Sequence, residues 1–91
     1  MKLIVCSGYY GHCELLPGEK VEGGPHAGLD QRQLFEKIMQ EGYGNNVPAV
    51  FFADMADGST RRVVGRDAAP LIDDPGVLEV TVIAPIAGGA I

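Results

Sequence analysis

The chain of 91 residues is 46% hydrophobic and 21% charged, with a formal net charge of −5, a globular composition with room for one domain and one modest core. Seven Lys and Arg against twelve Asp and Glu argue against nucleic-acid binding, which needs clustered cations to neutralise phosphate, and leave a surface suited to a basic protein partner or to solubility. No apolar run approaches the roughly 18–20 residues of a membrane span, and no basic segment leads into a long apolar one at the N-terminus, so the expectation is a cytoplasmic protein without membrane contact or a large catalytic cleft.

Lys2 to Ser7 is rich in branched apolar residues and reads as a strand buried on at least one face. Gly8 to Gly11 is a turn, and His12 to Leu16 returns as a second strand. Pro17 to Gly28 (PGEKVEGGPHAG) is loop chemistry, with a short extension of the second strand near Val21.

Asp30 then offers a helix N-cap, with Gln33 three residues later completing a capping box: each side chain satisfies a free backbone N–H of the first turn. Leu34, Phe35, Ile38 and Met39 make an apolar stripe, while Gln33, Glu36, Lys37 and Gln40 point to water. Gly42 or Gly44 ends the helix by taking a left-handed conformation.

Pro48 to Ala53 is a buried strand, and Asp57-Gly58 turns the chain into a strand from Thr60 to Val64. Gly65 to Pro75 is irregular, with Ala68 to Ile72 tucking one short turn into the core. The final strand spans Val77 to Ala84, with Leu78, Val80 and Val82 facing in and Glu79, Thr81 and Ile83 facing out. The expected core is Leu3, Val5, Leu34, Ile38, Val50, Phe52, Leu78, Val80 and Val82.

Several chemical readings of single residues are weak. Cys6, His12, Cys13 and His26 include zinc-ligand types, but Cys-x6-Cys with scattered His matches no common zinc spacing and Cys6 lies in a strand expected to be buried, so no metal is expected. Nor can an orienting group or oxyanion donor be assigned for a Cys-His nucleophile. Cys6 and Cys13 could face each other across the N-terminal hairpin, but free thiols are the expectation in a reducing compartment. Asp54, Asp57, Asp73 and Asp74 sit in turns, where Asp bonds the local backbone. Arg61 and Arg62 read as a solvated strand edge, and Lys2, Lys20 and Lys37 as surface lysines, any of which could accept another copy in a chain.

The tail is different. After the last strand the chain continues as Pro85-Ile86-Ala87-Gly88-Gly89-Ala90-Ile91. Glycines here do not stabilise a fold, because they lose the most backbone entropy on ordering. Two residues without Cβ can thread a narrow channel and bring a carbonyl close to a partner's reactive centre. Ile83, facing outward, with Ile86 just beyond it, is a candidate apolar partner patch.

In element order and tail the chain resembles the β-grasp ubiquitin-like family, which includes ubiquitin and the sulfur carriers of thiamine and molybdopterin synthesis; those carriers end in strings like Pro85-Ile86-Ala87-Gly88-Gly89. The resemblance implies an α+β domain over 1–85, a mixed sheet of four or five strands on one helix, and a flexible tail over 86–91. It implies a substrate and carrier rather than an enzyme. No cofactor is bound; an E1-like activating enzyme uses ATP to adenylate the carboxylate of Gly89, with Gly88 as spacer and Ile86 and Ala87 in the partner-facing tail. One departure is that Ala90 and Ile91 follow the diglycine, so a processing protease, often a zinc metalloprotease in this family, must cut between Gly89 and Ala90. That masked end favours a protein modifier, conjugated to target proteins with an E2-like enzyme, over a sulfur carrier with a terminal thiocarboxylate. A tail without consequence and a structural module, such as a phage tail-assembly domain, are the remaining readings.

Overall fold

The computed structural model describes residues 1–6, 12–24, 26–42 and 47–83. Its elements follow the expected order: β1 (Lys2–Cys6), β2 (Cys13–Leu15), α1 (Gln31–Glu41), β3 (Val50–Met55), β4 (Thr60–Val64), a 3-10 helix (Gly65–Asp73) and β5 (Val77–Ile83). The strands form one sheet in the order β2-β1-β5-β3-β4. β1 runs parallel to β5, and the other pairs are antiparallel. This mixed five-stranded sheet on one helix is a β-grasp arrangement, and the fold is α+β.

The helix starts where the capping box requires. Asp30 Oδ1 accepts from the Gln33 backbone N–H at 2.8 Å, and Gln33 Oε1 accepts from the Asp30 N–H at 3.0 Å, so two donors of the first turn are satisfied reciprocally. The helix ends at Gly42, at φ 63° and ψ −142°, where a Cβ would run into the Val47 carbonyl oxygen. The segment before the helix is tied down rather than loose: the Val21 N–H donates to the Leu29 carbonyl and the Gly28 N–H to the Val21 carbonyl, both at 2.9 Å.

Leu34, Phe35 and Ile38 of α1 are buried against an inner sheet face made of Leu3, Val5, Leu15, Phe51, Ala53, Val80 and Val82. The Phe35 and Phe51 rings lie 5.0 Å apart at 46°, a tilted geometry that suits the quadrupoles of both rings. The 3-10 helix closes the core with Ala68 and Leu71, as expected of a turn at Ala68 to Ile72, but it runs over nine residues where an irregular connection was expected.

Two expected core positions, Phe52 and Leu78, are corrected. On β3 the inward residues are Phe51 and Ala53, which stand opposite Val82 and Val80. Phe52 is half-buried on the other face, and Val50, although buried, shares that outer face. The stretch from Ala49 to Ala53 is apolar throughout, so alternation gives no parity signal there. On β5, Val77 rather than Leu78 turns inward, and Leu78 is 58% exposed. The cause is a register shift: Asp54 pairs with Glu79 but Met55 pairs with Val77, so Leu78 is the extra residue of a β-bulge and every residue before it changes face.

Candidate functional site

Residues Ile86, Ala87, Gly88, Gly89 and Ala90, the expected reactive tail and processing site, lie outside the described residues. Ile83 is the described residue that leads towards them. It ends β5, the central strand of the sheet, between β1 and β3.

The surroundings of Ile83 follow from the pleat. Side chains directly opposite one another across paired strands share a face, so the registers define rows across the outer surface. The row at the C-terminal end of β5 is Cys6, Ile83, Val50 and Val64. The middle row, Glu14, Ile4, Thr81, Phe52 and Arg62, is mixed, and the far row, Lys2, Glu79, Asp54 and Thr60, is polar. The outer face therefore grades from charged to apolar along β5, and its apolar end adjoins the residue from which the chain runs on to residue 84. Ile83 is 40% exposed, with Ile4, Phe52 and Val64 half-buried around it. Of this row Ile83 and Cys6 are exposed, Val64 is half-buried and Val50 is buried, so the accessible apolar surface is centred on Ile83.

Fixed charge holds the polar end. Lys2 Nζ and Glu14 Oε1 are 2.9 Å apart. The hydrogen bond to Glu14 raises the Lys2 ammonium above its ordinary value, and the same bond to Lys2 holds the Glu14 carboxyl below its own.

The remaining candidates resolve individually. Cys6 and Cys13 are free thiols, and they do not face each other: Cys13 stands opposite Val5. That register places Cys13 on the inner face, half-buried, and leaves Cys6 exposed on the outer face, which corrects the burial expected for Cys6. Desolvation, and then the charge of Cys6, push the Cys13 thiol up. His12 lies 3.9 Å from Glu14. Among the described residues no three His, Cys, Asp or Glu side chains are grouped to hold a metal.

Two of the four aspartates, Asp57 and Asp74, serve their turns, whereas Asp54 lies in β3 and bonds across to its register partner Thr60, which corrects the turn expected for it. Asp57 accepts from the Ser59 N–H at 2.9 Å and its hydroxyl at 2.6 Å. Asp74 accepts from the Gly76 N–H at 2.8 Å, and Asp54 from the Thr60 hydroxyl at 3.1 Å. Asp73 departs from expectation by forming a bidentate pair with Arg32, 2.7 and 3.0 Å, which ties the helix's first turn to the 3-10 helix. Arg61 and Arg62 are exposed on β4, an edge strand. A shallow pocket of about 220 Å³ beside the helix C-terminus, lined by Met39, Val47, Pro48 and Arg66 among others, sets no nucleophile beside a base.

Sequence reasoning missed Gln31. Its side-chain amide is buried and donates to the Met1 carbonyl at 2.7 Å and the Leu15 carbonyl at 2.9 Å, clasping β1 and β2 to the start of α1. Its place on the helix gave the only available signal: Gln31 is one turn before Leu34 and Phe35, on the stripe's own face.

No family model, no curated protein and no solved structure matches this chain.

Proposed function

We propose that this protein is a ubiquitin-like modifier, processed to Gly89, adenylated there by an E1-like enzyme and conjugated to target proteins through an E2-like partner. The observation that carries this reading is the position of the apolar row Cys6, Ile83, Val50 and Val64. In sequence the diglycine follows within six residues of Ile83, so an activating enzyme gripping the outer face at Ile83 has the tail within reach of its nucleotide site. Recognition and chemistry then use separate parts of the chain: the sheet supplies affinity, and the bare glycines supply access.

The chemistry imposes an order of events. A carboxylate is a poor electrophile, whereas an acyl adenylate has a good leaving group that a thiolate can displace. Adenylation needs a Gly89 carboxylate oxygen to attack the α-phosphate of ATP, with pyrophosphate leaving. In the chain as written Gly89 is joined to Ala90 through an amide, which cannot make that attack, so proteolysis between Gly89 and Ala90 comes first.

Truncation after Gly89 is expected to permit ATP-dependent thioester formation with the cognate E1-like enzyme, and the untruncated chain, without its protease, to give none. Replacing Gly89 by a bulky residue blocks the reaction while leaving thermal unfolding unchanged. Intact mass spectrometry of the protein from its native host checks maturation directly. Recovery only of chains still carrying Ala90 after Gly89, active in that form, refutes the modifier reading in favour of a structural module. A terminal thiocarboxylate in place of isopeptide-linked products identifies a sulfur carrier.

A further inference from the structure

The two edges of the sheet differ in length and charge. β2 offers three residues, Cys13–Leu15, with Glu14 at its centre, whereas β4 offers five, Thr60–Val64. The hydrogen-bond phase of β4 follows from its ends. The Met55 N–H donates to the Ser59 carbonyl and the Gly65 N–H to the Ala49 carbonyl, and the register continues between these pairs with Phe51 opposite Val63 and Ala53 opposite Arg61. Since hydrogen-bonded and non-bonded pairs alternate in an antiparallel ladder, odd-numbered residues bond to β3. The N–H and C=O groups of Thr60 and Arg62 therefore point away from the sheet, and both residues are exposed. An open edge of this sort is a template for another strand.

The charge at that edge is unusual for this chain. Three of its four arginines, Arg61, Arg62 and Arg66, fall within a run from 58 to 66 that holds no acidic residue, in a protein of net charge −5. Among the described residues none of the three is in an ion pair, while Arg32, Lys2 and Lys37 all are. The nearby carboxylates of Asp54 and Asp57 hydrogen-bond the hydroxyls of Thr60 and Ser59, and the charge of Arg61 reaches Asp57 without forming an ion pair with it.

We infer that the β4 edge binds an extended acidic segment of a partner protein by strand addition, with Thr60 and Arg62 supplying the main-chain hydrogen bonds and Arg61, Arg62 and Arg66 the charge. Successive side chains of a strand point to opposite faces, so Arg61 lies on the helix side of the sheet and Arg62 on the outer side. Two adjacent acidic residues in the incoming strand place one carboxylate beside each. Main-chain pairing contributes affinity and the flanking side chains contribute specificity, as in other strand-addition complexes. The surface is separate from the row around Ile83 and does not depend on the modifier reading.

The test is an NMR titration of the full chain with the peptide acetyl-Ser-Val-Thr-Val-Asp-Glu-Val-Thr-Val-Ser-amide. The amides of Thr60 and Arg62 are expected to shift and gain exchange protection, and those of Arg61 and Val63, already bonded to β3, to move less. Arg61→Glu combined with Arg62→Glu should weaken binding about tenfold or more, equivalent to about 1.4 kcal/mol per factor of ten, and a peptide with Lys-Arg in place of Asp-Glu should regain it. Methylating the peptide nitrogens on its pairing edge should abolish binding. Should the double variant unfold, the Lys-Arg peptide on the unaltered protein decides: it must fail to bind. Perturbations mapping elsewhere, affinity indifferent to either charge swap, or no shift up to millimolar peptide would overturn the inference and leave the arginines as guards against edge pairing.

Discussion

The two faces of the sheet are built from the same strands and obey opposite rules. Facing the helix, Leu3, Val5, Phe51, Ala53, Val80 and Val82 are all fully buried, so each side chain is constrained by neighbours on every side. On the outer face, one residue away along each strand, the rows change from Lys2, Glu79 and Asp54 to Ile83, Val50 and Val64, on the side away from α1. The inner face holds the buried core, and the outer face is free to vary without disturbing it.

The comparison is sharpest at two adjacent phenylalanines. Phe51→Ala is expected to destabilise by about 3–5 kcal/mol, through lost transfer energy and the cavity left against Phe35. Phe52→Ala, half-buried on the outer face, should cost clearly less. Chemical denaturation of both variants reads the difference, and equal losses would break the two-face description. Gln31→Ala comes next: it strips the Met1 and Leu15 carbonyls of their donor, a loss of about 1–3 kcal/mol for groups left unsatisfied when buried. Val80→Ala should cost about 1–3 kcal/mol by removal of packed methyls. Leu78→Ser, two positions back on the same strand but at the bulge, should stay within about 0.5 kcal/mol, the usual range for exposed sites. A Leu78 effect as large as that of Val80 would mean that the bulge is absent in solution.

What the sequence made legible were the features that local chemistry specifies. The Asp30 and Gln33 capping box, the Leu34, Phe35 and Ile38 stripe and the turn at Asp57 each announce themselves within four residues, and the order of elements followed from them. Facing was lost wherever the apolar run was unbroken: Val50, Phe51 and Phe52 offer no alternation, and Val77-Leu78 hides a bulge that only pairing with Met55 reveals. Long-range polar contacts were invisible for the same reason. Gln31 drew no reading at all, and Asp73 looked like turn chemistry because its partner Arg32 lies 41 residues away. Of the proposed site, the tail was read from its glycines and Ile83 from its parity, whereas Cys6, Val50 and Val64 joined it only through cross-strand register.

The smallest expected effect concerns the pair at the rim, Arg32 and Asp73, and it is a matter of pH. Both side chains are more than half exposed, so water and salt screen them and the pair is weaker than any inner-face contact. Hydrogen bonding from Arg32 holds the Asp73 carboxyl below its ordinary 3.8, and the charge of Arg32 acts in the same direction. A folded-state value below the unfolded one means that the unfolded chain binds the proton more readily, so folding stability gained from the pair is fully present above about pH 4 and is lost as pH falls through the depressed value. Asp73→Asn removes the titrating group. The variant is therefore expected to be slightly less stable than the parent at neutral pH in low salt, with the gap closing below pH 4 and narrowing in 1 M salt. Thermal unfolding of parent and variant across that range provides the measurement. A gap that persists unchanged into acid would show that Asp73 acts through packing of the 3-10 helix rather than through its charge.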